Sequence, residues 1–368
     1  MMAVHIQSLW IESFRGIKKL KAAELNHVNL IVGDNNCGKT SVLEALLLLR
    51  NPKDLANILR IARQRDPLWL VSRTSIYENF INLFPKSILQ NVIKIEALCH
   101  SGLIKYSIHG DQKKILLDEG DLPQLNYSYA ERKDSNLPSE SDAFVGVMEY
   151  CIGDAHHTED IKLHEFSRIS GLEIRRNYLL DMVYLSPIDH MKSSIINYII
   201  RNDGYKEICL RILQLFDADI SDILILKNEQ TNRPIEYIKH RTLGNMPIST
   251  YGDGIKKVLL LAHAIVQSAD GILLIDEIET AIHAKYYDDI FRFLIKACKQ
   301  YNVQLFITTH NKETIDALLA TQDYEEQNEH DDITVLTLKR GINRTYTRML
   351  PGREVYDNRE SFDFEVRL

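Results

Sequence analysis

The segment Gly-Asp-Asn-Asn-Cys-Gly-Lys-Thr at residues 33–40 matches the pattern G-x-x-x-x-G-K-T, a loop type that binds phosphate groups. The apolar, β-branched run at residues 28–32 predicts a buried strand before the loop, and the run of helix formers at residues 40–49 predicts a helix after it. In such an arrangement, backbone N–H groups and the helix dipole both face a bound polyphosphate. A chance match in a glycine-containing turn is the alternative, and the correct flanks on both sides argue against it.

The loop supplies candidate nucleotide-binding residues. We expect Lys39 to reach the β- and γ-phosphates of a nucleotide, and the Thr40 hydroxyl to hold Mg²⁺. The predicted binding residues of the loop are Gly33, Asn35, Asn36, Cys37, Gly38, Lys39, Thr40 and Ser41.

A second apolar run, at residues 271–275, is followed directly by Asp276 and Glu277. A buried parallel strand that delivers two acids at its carboxyl end is the Walker B pattern of nucleotide hydrolases. We expect Asp276 to act on Mg²⁺ from its outer shell, and Glu277 to be the general base that orients the attacking water. A core strand that happens to end in surface acids is the alternative.

A third predicted strand, at residues 303–309, ends at His310. A histidine beside the γ-phosphate can sense that phosphate and fix the position of the attacking water. Since a lone histidine is more often structural, this interpretation depends on the order of the elements. His310 follows the Walker B strand after one predicted helix, at about residues 284–301.

Taken together, these motifs resemble a family of ATPases. Residues 6–17, together with the phosphate loop and Leu43-Glu44-Ala45, are similar to the start of RecF, SMC, Rad50 and OLD-type ATPase heads. Three later motifs narrow the resemblance to the compact AAA-15/AAA-21 branch of the ABC-ATPase clan. They are S-x-x-G-D-G at residues 249–254, L-I-D-E-I-E at residues 274–279 followed by His283, and T-T-H at residues 308–310.

The resemblance implies an α/β fold: an ABC-ATPase head with a P-loop core sheet, an antiparallel β subdomain and an inserted helical lobe. It divides the chain into residues 1–117 as the N-terminal half of the core, 118–248 as the insertion and helical lobe, and 249–368 as the C-terminal half. The ligands it implies are ATP and Mg²⁺.

It also assigns Gly252, Asp253 and Gly254 to an ABC signature, which donates N–H groups and a helix dipole to the γ-phosphate held by a second protomer. An ordinary helix N-cap after a glycine turn is the alternative. The branch usually has a glycine where this chain has Ala281, and alanine is unfavourable there if the position needs a positive φ.

The middle of the chain carries weaker patterns. Alternating residues at 91–98 and 104–108 predict antiparallel strands, and a helical pattern covers residues 193–216. The polar segment at residues 118–160 predicts a loop or a weakly ordered insertion. Within it, the pair His156-His157 lacks further metal ligands and favours a solvated loop.

Composition limits the class of protein. Hydrophobic residues make up 45% of the 368 residues and charged residues 26%, as is typical of soluble globular proteins, and the net charge of −7 argues against a surface that grips nucleic acid everywhere. Five scattered cysteines without C-x-x-C spacing indicate free thiols. Without an apolar run long enough for a bilayer, we expect a cytoplasmic protein that does not bind membranes.

A basic cluster indicates either a site for nucleic-acid phosphates or, more simply, a solvated helix face. Its members are Arg50, Lys53, Arg60, Arg63, Arg65 and Arg73.

Finally, the resemblance implies a biochemical role. Two protomers, or a higher oligomer, would join head to head around ATP and separate after hydrolysis. Compact proteins of this branch resemble bacterial anti-phage or abortive-infection ATPases that act with a separate effector protein. One alternative is a RecF-like DNA-repair ATPase, and another is a structural scaffold whose ATP site only holds an assembly together. DNA binding is compatible with the first two roles and required only by the RecF-like one.

Overall fold

The three-dimensional structure is a computed structural model that describes residues 4–65, 74–86, 91–117, 140–167, 178–191, 199, 203–227, 232, 234–324, 331–362 and 365–366. Its strands are β1 (Ile6–Phe14), β2 (Ile17–Ala22), β3 (Val28–Gly33), β4 (Val92–Cys99), β5 (Gly102–Leu116), β6 (Glu140–Ile152), β7 (Ala155–His164), β8 (Met182–Leu185), β9 (Ile220–Lys227), β10 (Pro234–His240), β11 (Gly244–Pro247), β12 (Ile272–Ile275), β13 (Gln304–Thr308), β14 (Ile333–Arg340) and β15 (Thr345–Pro351). Its helices are α1 (Lys39–Leu48), α2 (Leu55–Arg63), α3 (Ile76–Ile81), α4 (Asp203–Gln214), α5 (Asp253–Gln267), α6 (Tyr287–Gln300), α7 (Lys312–Leu319) and α8 (Gly352–Phe362).

The central sheet has the strand order β15-β14-β3-β13-β12-β8. Its strands run parallel except β15, which pairs antiparallel with β14. Every residue of β3 and β12 is buried, as expected for parallel strands that are covered on both faces. The predicted strands at residues 28–32, 271–275 and 303–309 are therefore confirmed, as is the helix after the phosphate loop.

The central sheet separates two apolar cores. Ile31 of β3 and Leu274 of β12 pack in one core together with α1, α2 and the antiparallel sheet. Their neighbours Leu30 and Leu273 pack in the other, which is built from α4, α5, α6 and α7. Successive side chains of a strand point to opposite faces, so these short apolar runs build both cores at once. Helix α1 is buried almost all round because it lies between two sheets.

A second sheet is antiparallel, with the order β2-β1-β4-β5-β6-β7. The predicted strands at residues 91–98 and 104–108 are confirmed as β4 and β5. The prediction of a loop over residues 118–160 is wrong from residue 140 onward, because β6 pairs with β5 from Glu140 to Ile152 and β7 pairs with β6. Residues 118–139 lie outside the described residues. His156 and His157 are exposed, as expected, but they lie on the edge strand β7 rather than in a loop.

A third, three-stranded sheet has the order β11-β10-β9 and lies between α4 and α5 in the sequence. Helix α4 accounts for part of the helix predicted at 193–216, and most of residues 192–202 lie outside the described residues. The range 118–248 assigned to one insertion contributes to all three sheets, since β6 and β7 join the antiparallel sheet and β8 joins the central one. The predicted α/β fold class, with its P-loop sheet and antiparallel subdomain, is confirmed.

Two further predictions concern the cysteines and the presence of helices that could cross a membrane. All five cysteines are free thiols, as their spacing indicated. Within the part of the chain that the structure describes, no helix is both long enough and apolar enough to cross a bilayer.

A buried ion cluster holds α1 against its surroundings. The Glu44 side chain is fully buried, and its Oε2 lies 2.8 Å from Arg15 Nε and 2.6 Å from Arg65 Nη2. Arg65 Nη2 also donates to Ser41 Oγ at 3.0 Å. Arg15 in the β1–β2 turn and Arg65, two residues beyond α2, are thus both bonded to the helix that follows the phosphate loop.

We expect Glu44→Ala to lower the free energy of unfolding by about 3 kcal/mol or more, because it leaves two arginines without their buried partner. Urea denaturation followed by circular dichroism measures this change. The matched control is Glu207→Ala, which removes a helical glutamate paired with Arg211 at 2.6 Å but 64% exposed. Its cost should stay below about 1 kcal/mol. Equal costs for the two variants would contradict the structural role of the buried cluster.

Candidate active site

Three segments that are far apart in the sequence meet at one edge of the central sheet. The strands β3, β13 and β12 are parallel neighbours, so their carboxyl ends share this edge. The phosphate loop follows β3, Asp276 and Glu277 follow β12, and Thr309 and His310 follow β13. This edge is where open parallel α/β sheets bind ligands.

The phosphate loop has the backbone that its glycines permit. Gly33 (φ 142°) and Gly38 (φ 108°) have positive φ, and so does Asn36 (φ 63°). A Cβ on Gly33 would collide with the carbonyl oxygen of Leu338, so this position also needs glycine for space. Asn35 and Asn36 are exposed. Left-handed backbone of this kind is found in loops that turn their N–H groups toward an anion.

The remaining loop residues anchor the start of α1. Gly38 is the left-handed N-cap of α1, and the cap has no side-chain hydrogen bond, which leaves the helix N-terminus to a ligand. Lys39 is buried and donates from Nζ to the carbonyl oxygens of Gly33, at 2.7 Å, and Asp34, at 2.9 Å. Burial raises the pKa of the Cys37 thiol, so this side chain stays neutral at physiological pH.

The carboxylate of Asp276 is the meeting point of the site. Its Oδ2 accepts from Thr40 Oγ1 at 2.9 Å and from the Tyr184 hydroxyl at 3.4 Å, and its Oδ1 accepts from Thr308 Oγ1 at 2.6 Å. A hydroxyl and a carboxylate held side by side are hard oxygen donors of the type that Mg²⁺ prefers. The Thr40–Asp276 pair therefore fits a magnesium ion.

Glu277 lies next to Asp276 in a strained conformation, with φ 46°. Its N–H donates to Thr308 Oγ1 at 2.9 Å. Partial burial raises the pKa of its carboxyl group, and repulsion from Asp276 and Glu279 adds to this, while His310 and Lys39 act in the opposite direction. A half-buried carboxylate with a raised pKa suits a general base, and strain of this kind is often found at functional sites.

Glu279 holds His310 in place, although the sequence motifs assign no role to this glutamate. The backbone N–H of His310 donates to Glu279 Oε1 at 3.2 Å, and its Nδ1 lies 3.3 Å from the same oxygen. The Glu279 side chain is 9% exposed, whereas that of His310 is 47% exposed. Glu279 was visible in the D-E-I-E motif, but nothing in the sequence indicated that it would contact the end of β13.

The signature segment lies at the start of α5. Gly252 is the N-cap, without a side-chain cap bond, and both Gly252 and Asp253 are exposed. A bond from Lys256 lowers the pKa of Asp253. A Cβ on Gly254 would lie 3.1 Å from the carbonyl oxygen of Ala281, so the segment contacts the loop after the Walker B acids. Ala281 does adopt a positive φ, of 67°, at the position where the ATPase branch that the sequence resembles usually has glycine.

The predicted basic cluster does not form one surface. Arg65 is bound to Glu44, and the guanidinium of Arg50 stacks on Tyr178 at 3.9 Å. Arg60 and Arg63 are exposed on α2, whose other face is buried. Arg73 lies outside the described residues. This arrangement supports the solvated helix face over a nucleic-acid site.

Two family models match different parts of the chain. The family model described as "AAA ATPase domain" (AAA_15) matches residues 5–184, and the model described as "AAA domain, putative AbiEii toxin, Type IV TA system" (AAA_21) matches residues 167–316. A curated ATP/GTP phosphatase of Helicobacter pylori is 24% identical over 346 residues, which are 88% of this chain and 90% of the relative.

Among solved structures, an SMC head bound to the C-winged helix domain of ScpA aligns over 95% of this chain and 99% of its own, with a TM-score of 0.52 and 11% identity. At this identity the likeness concerns the fold alone. The chain is therefore an ATPase that carries AAA_15 and AAA_21 domain sequences and folds like an SMC-type ATPase head.

Proposed function

We propose that the protein is a dimerising switch ATPase, in which two chains join head to head around ATP and Mg²⁺ and separate after hydrolysis. The observation that carries this proposal is the start of α5. A glycine N-cap without a side-chain partner leaves the positive end of a 15-residue helix open at the surface. A phosphate group bound to another chain is a suitable partner for such a helix end.

Each residue of the site has a place in the proposed reaction. Lys39 and the loop backbone bind the phosphates, while Thr40 and Asp276 hold Mg²⁺, which would neutralise charge on the phosphate oxygens when bound. Glu277 accepts a proton from water as the water oxygen bonds to the γ-phosphorus, while the bond from that phosphorus to the β,γ-bridging oxygen breaks and ADP leaves. His310, held by Glu279, fixes the position of that water and of the phosphate. The second chain contributes Gly252, Asp253 and Gly254.

The proposed output is control of a separate effector protein, in a bacterial anti-phage or abortive-infection system. The description of the AAA_21 model, which names a putative toxin of a type IV toxin–antitoxin system, supports a role of this kind. The name of the Helicobacter pylori relative, an ATP/GTP phosphatase, supports hydrolysis as the chemical step. DNA is not needed for this cycle, and the dispersed arginines give no specific support to a RecF-like role.

The first prediction concerns the general base. Glu277→Gln keeps the shape of the side chain but cannot accept a proton, so turnover should fall by about 100-fold or more while ATP still binds. Lys39→Ala should lose ATP binding itself. Steady-state phosphate release and equilibrium binding of a fluorescent ATP analogue separate these two effects. The exposed Glu207→Gln serves as the control, and wild-type turnover in Glu277→Gln would refute the assignment.

The second prediction concerns pH. Because burial and two neighbouring carboxylates raise the pKa of Glu277, its ionised, active form should disappear at a higher pH than for an ordinary glutamate. Activity should therefore fall as the pH decreases through a value above about 4.3. The dependence of kcat/KM on pH, which reports groups of the free enzyme, measures this fall, and circular dichroism confirms that the protein stays folded. If activity falls only at or below the pKa of an ordinary glutamate, Glu277 is not the group that titrates.

The third prediction tests the composite site. Gly252→Arg suits this test better than Gly254→Arg, because nothing lies within 4 Å of a Cβ on Gly252, whereas Gly254 lies against Ala281. Gly252→Arg and Lys39→Ala should each abolish turnover alone. In an equal mixture, half of the dimers contain one chain of each variant. Such a dimer has one intact site, made from Lys39 of one chain and Gly252 of the other, and one site that lacks both. About a quarter of the wild-type activity should therefore return.

The control for this mixture replaces the first chain with the double variant Gly252→Arg/Lys39→Ala. A mixture of that chain with Lys39→Ala contains no intact Lys39 and should stay inactive. Verified mixed dimers of the two single variants that hydrolyse no ATP would contradict the proposed arrangement.

A further inference from the structure

Lys257, on the second turn of α5, is an unusual residue for its position. Its side chain is fully buried, at 0% exposure, and its Nζ has no hydrogen-bond partner within the described ranges. Lysine is almost never fully buried without a partner, because removing an ammonium group from water is costly. A residue of this kind is hard to explain as a contribution to folding.

The surroundings of Lys257 are acidic and belong to the active site. Burial lowers the pKa of its ammonium group to about 8, while four carboxylates act in the opposite direction. These are Asp189, Glu279, Asp276 and Glu277. The 3-10 turn Asp189–Met191, which follows β8, packs on α5 near this lysine. Gly254, three positions before Lys257, lies against the carbonyl oxygen of Ala281, two positions after Glu279, so this end of α5 packs beside the loop that follows β12.

Glu279 is a buried group of opposite charge that also lacks part of its hydrogen bonding. Its Oε1 accepts from the backbone N–H of His310, but its Oε2 is buried and lacks a hydrogen-bond partner in the described part of the chain. The structure therefore holds two buried groups of opposite charge, on the signature helix and beside the catalytic acids, each with unsatisfied hydrogen-bonding capacity. A direct pairing of Lys257 with Glu279 would satisfy both groups, since a close ion pair in a poorly hydrated interior is favourable.

We propose that Lys257 is a positioning residue, which pairs with Glu279 during the ATPase cycle and thereby transmits the state of the signature segment to His310 and Glu277. Gly252–Gly254 are linked to Lys257 by one turn of α5. Lys257 pairs with Glu279, and Glu279 contacts His310. A phosphate bound at the start of α5 would in this way adjust the acids that belong to the same chain's own nucleotide site. The inference rests on the proposed roles of Glu277 and His310.

The substitution Lys257→Met tests this role, because methionine is similar in length and suits an apolar interior. We expect kcat to fall by about tenfold or more, with the KM for ATP changed by less than about twofold. The melting temperature should stay the same or rise, because a buried charge without a partner is removed. Loss of activity without loss of stability is the result that a purely structural residue would not give.

Two further variants complete the test. Glu279→Gln should lower kcat in the same way, and the double variant Lys257→Met/Glu279→Gln should be no slower than the slower single variant, because the two residues act as a unit. Lys296→Met, on the exposed face of α6, removes the same charge elsewhere and should leave kcat unchanged.

Three results would overturn the inference: wild-type kcat in Lys257→Met, a fall in kcat that is matched by a lower melting temperature, or fully additive effects of the two substitutions. A different variant tests the proposed function itself. Wild-type turnover in Glu277→Gln would overturn the assignment of the general base, whereas wild-type turnover in Lys257→Met overturns only the role of this lysine.

Discussion

The carboxylate of Asp276 accepts hydrogen bonds from the hydroxyls of Thr40, Thr308 and Tyr184, which lie 236, 32 and 92 positions away in the sequence. These residues meet because β3, β13, β12 and β8 are parallel neighbours and end at the same edge. A shift of one residue in the register of β12 would turn Asp276 toward the opposite face of the sheet. The parallel pairing, fixed by the two apolar cores on either side of the sheet, therefore determines whether the site exists.

Glu44 and Lys257 are both buried charges, but their surroundings differ. Glu44 is fully buried, but two arginines compensate it, and the cluster holds the phosphate-loop helix in place. Lys257 is equally buried, yet it has four carboxylates in its surroundings and no direct bond to any of them within the described residues. Removing one partner of a buried pair is strongly destabilising, whereas removing a buried charge that has no direct partner should cost little stability.

The two cores also explain how distant parts of the site are connected. Helix α1 belongs to the core shared with the antiparallel sheet, and α5 belongs to the core on the opposite face of the central sheet. The sheet edge that carries Asp276 and Glu277 lies between them. Because packed interiors are dense and transmit strain, both helices are mechanically connected to this edge.

The sequence by itself determined the features that are local. The phosphate loop, its strand and its helix are contiguous, so composition and spacing were enough to predict them, and the same holds for the acids after β12. Lys257 also left a signal, since it lies four and seven positions before the buried Leu261 and Ala264 and so falls on the buried face of α5. Only the tertiary structure decided which groups this face meets. It also decided that β6 and β7 form in the second half of the polar segment, because β6 pairs with β5 and β7 pairs with β6, and that Arg65 pairs with Glu44. Each of these outcomes arises from contacts between residues far apart in the chain, whose energies no local pattern records.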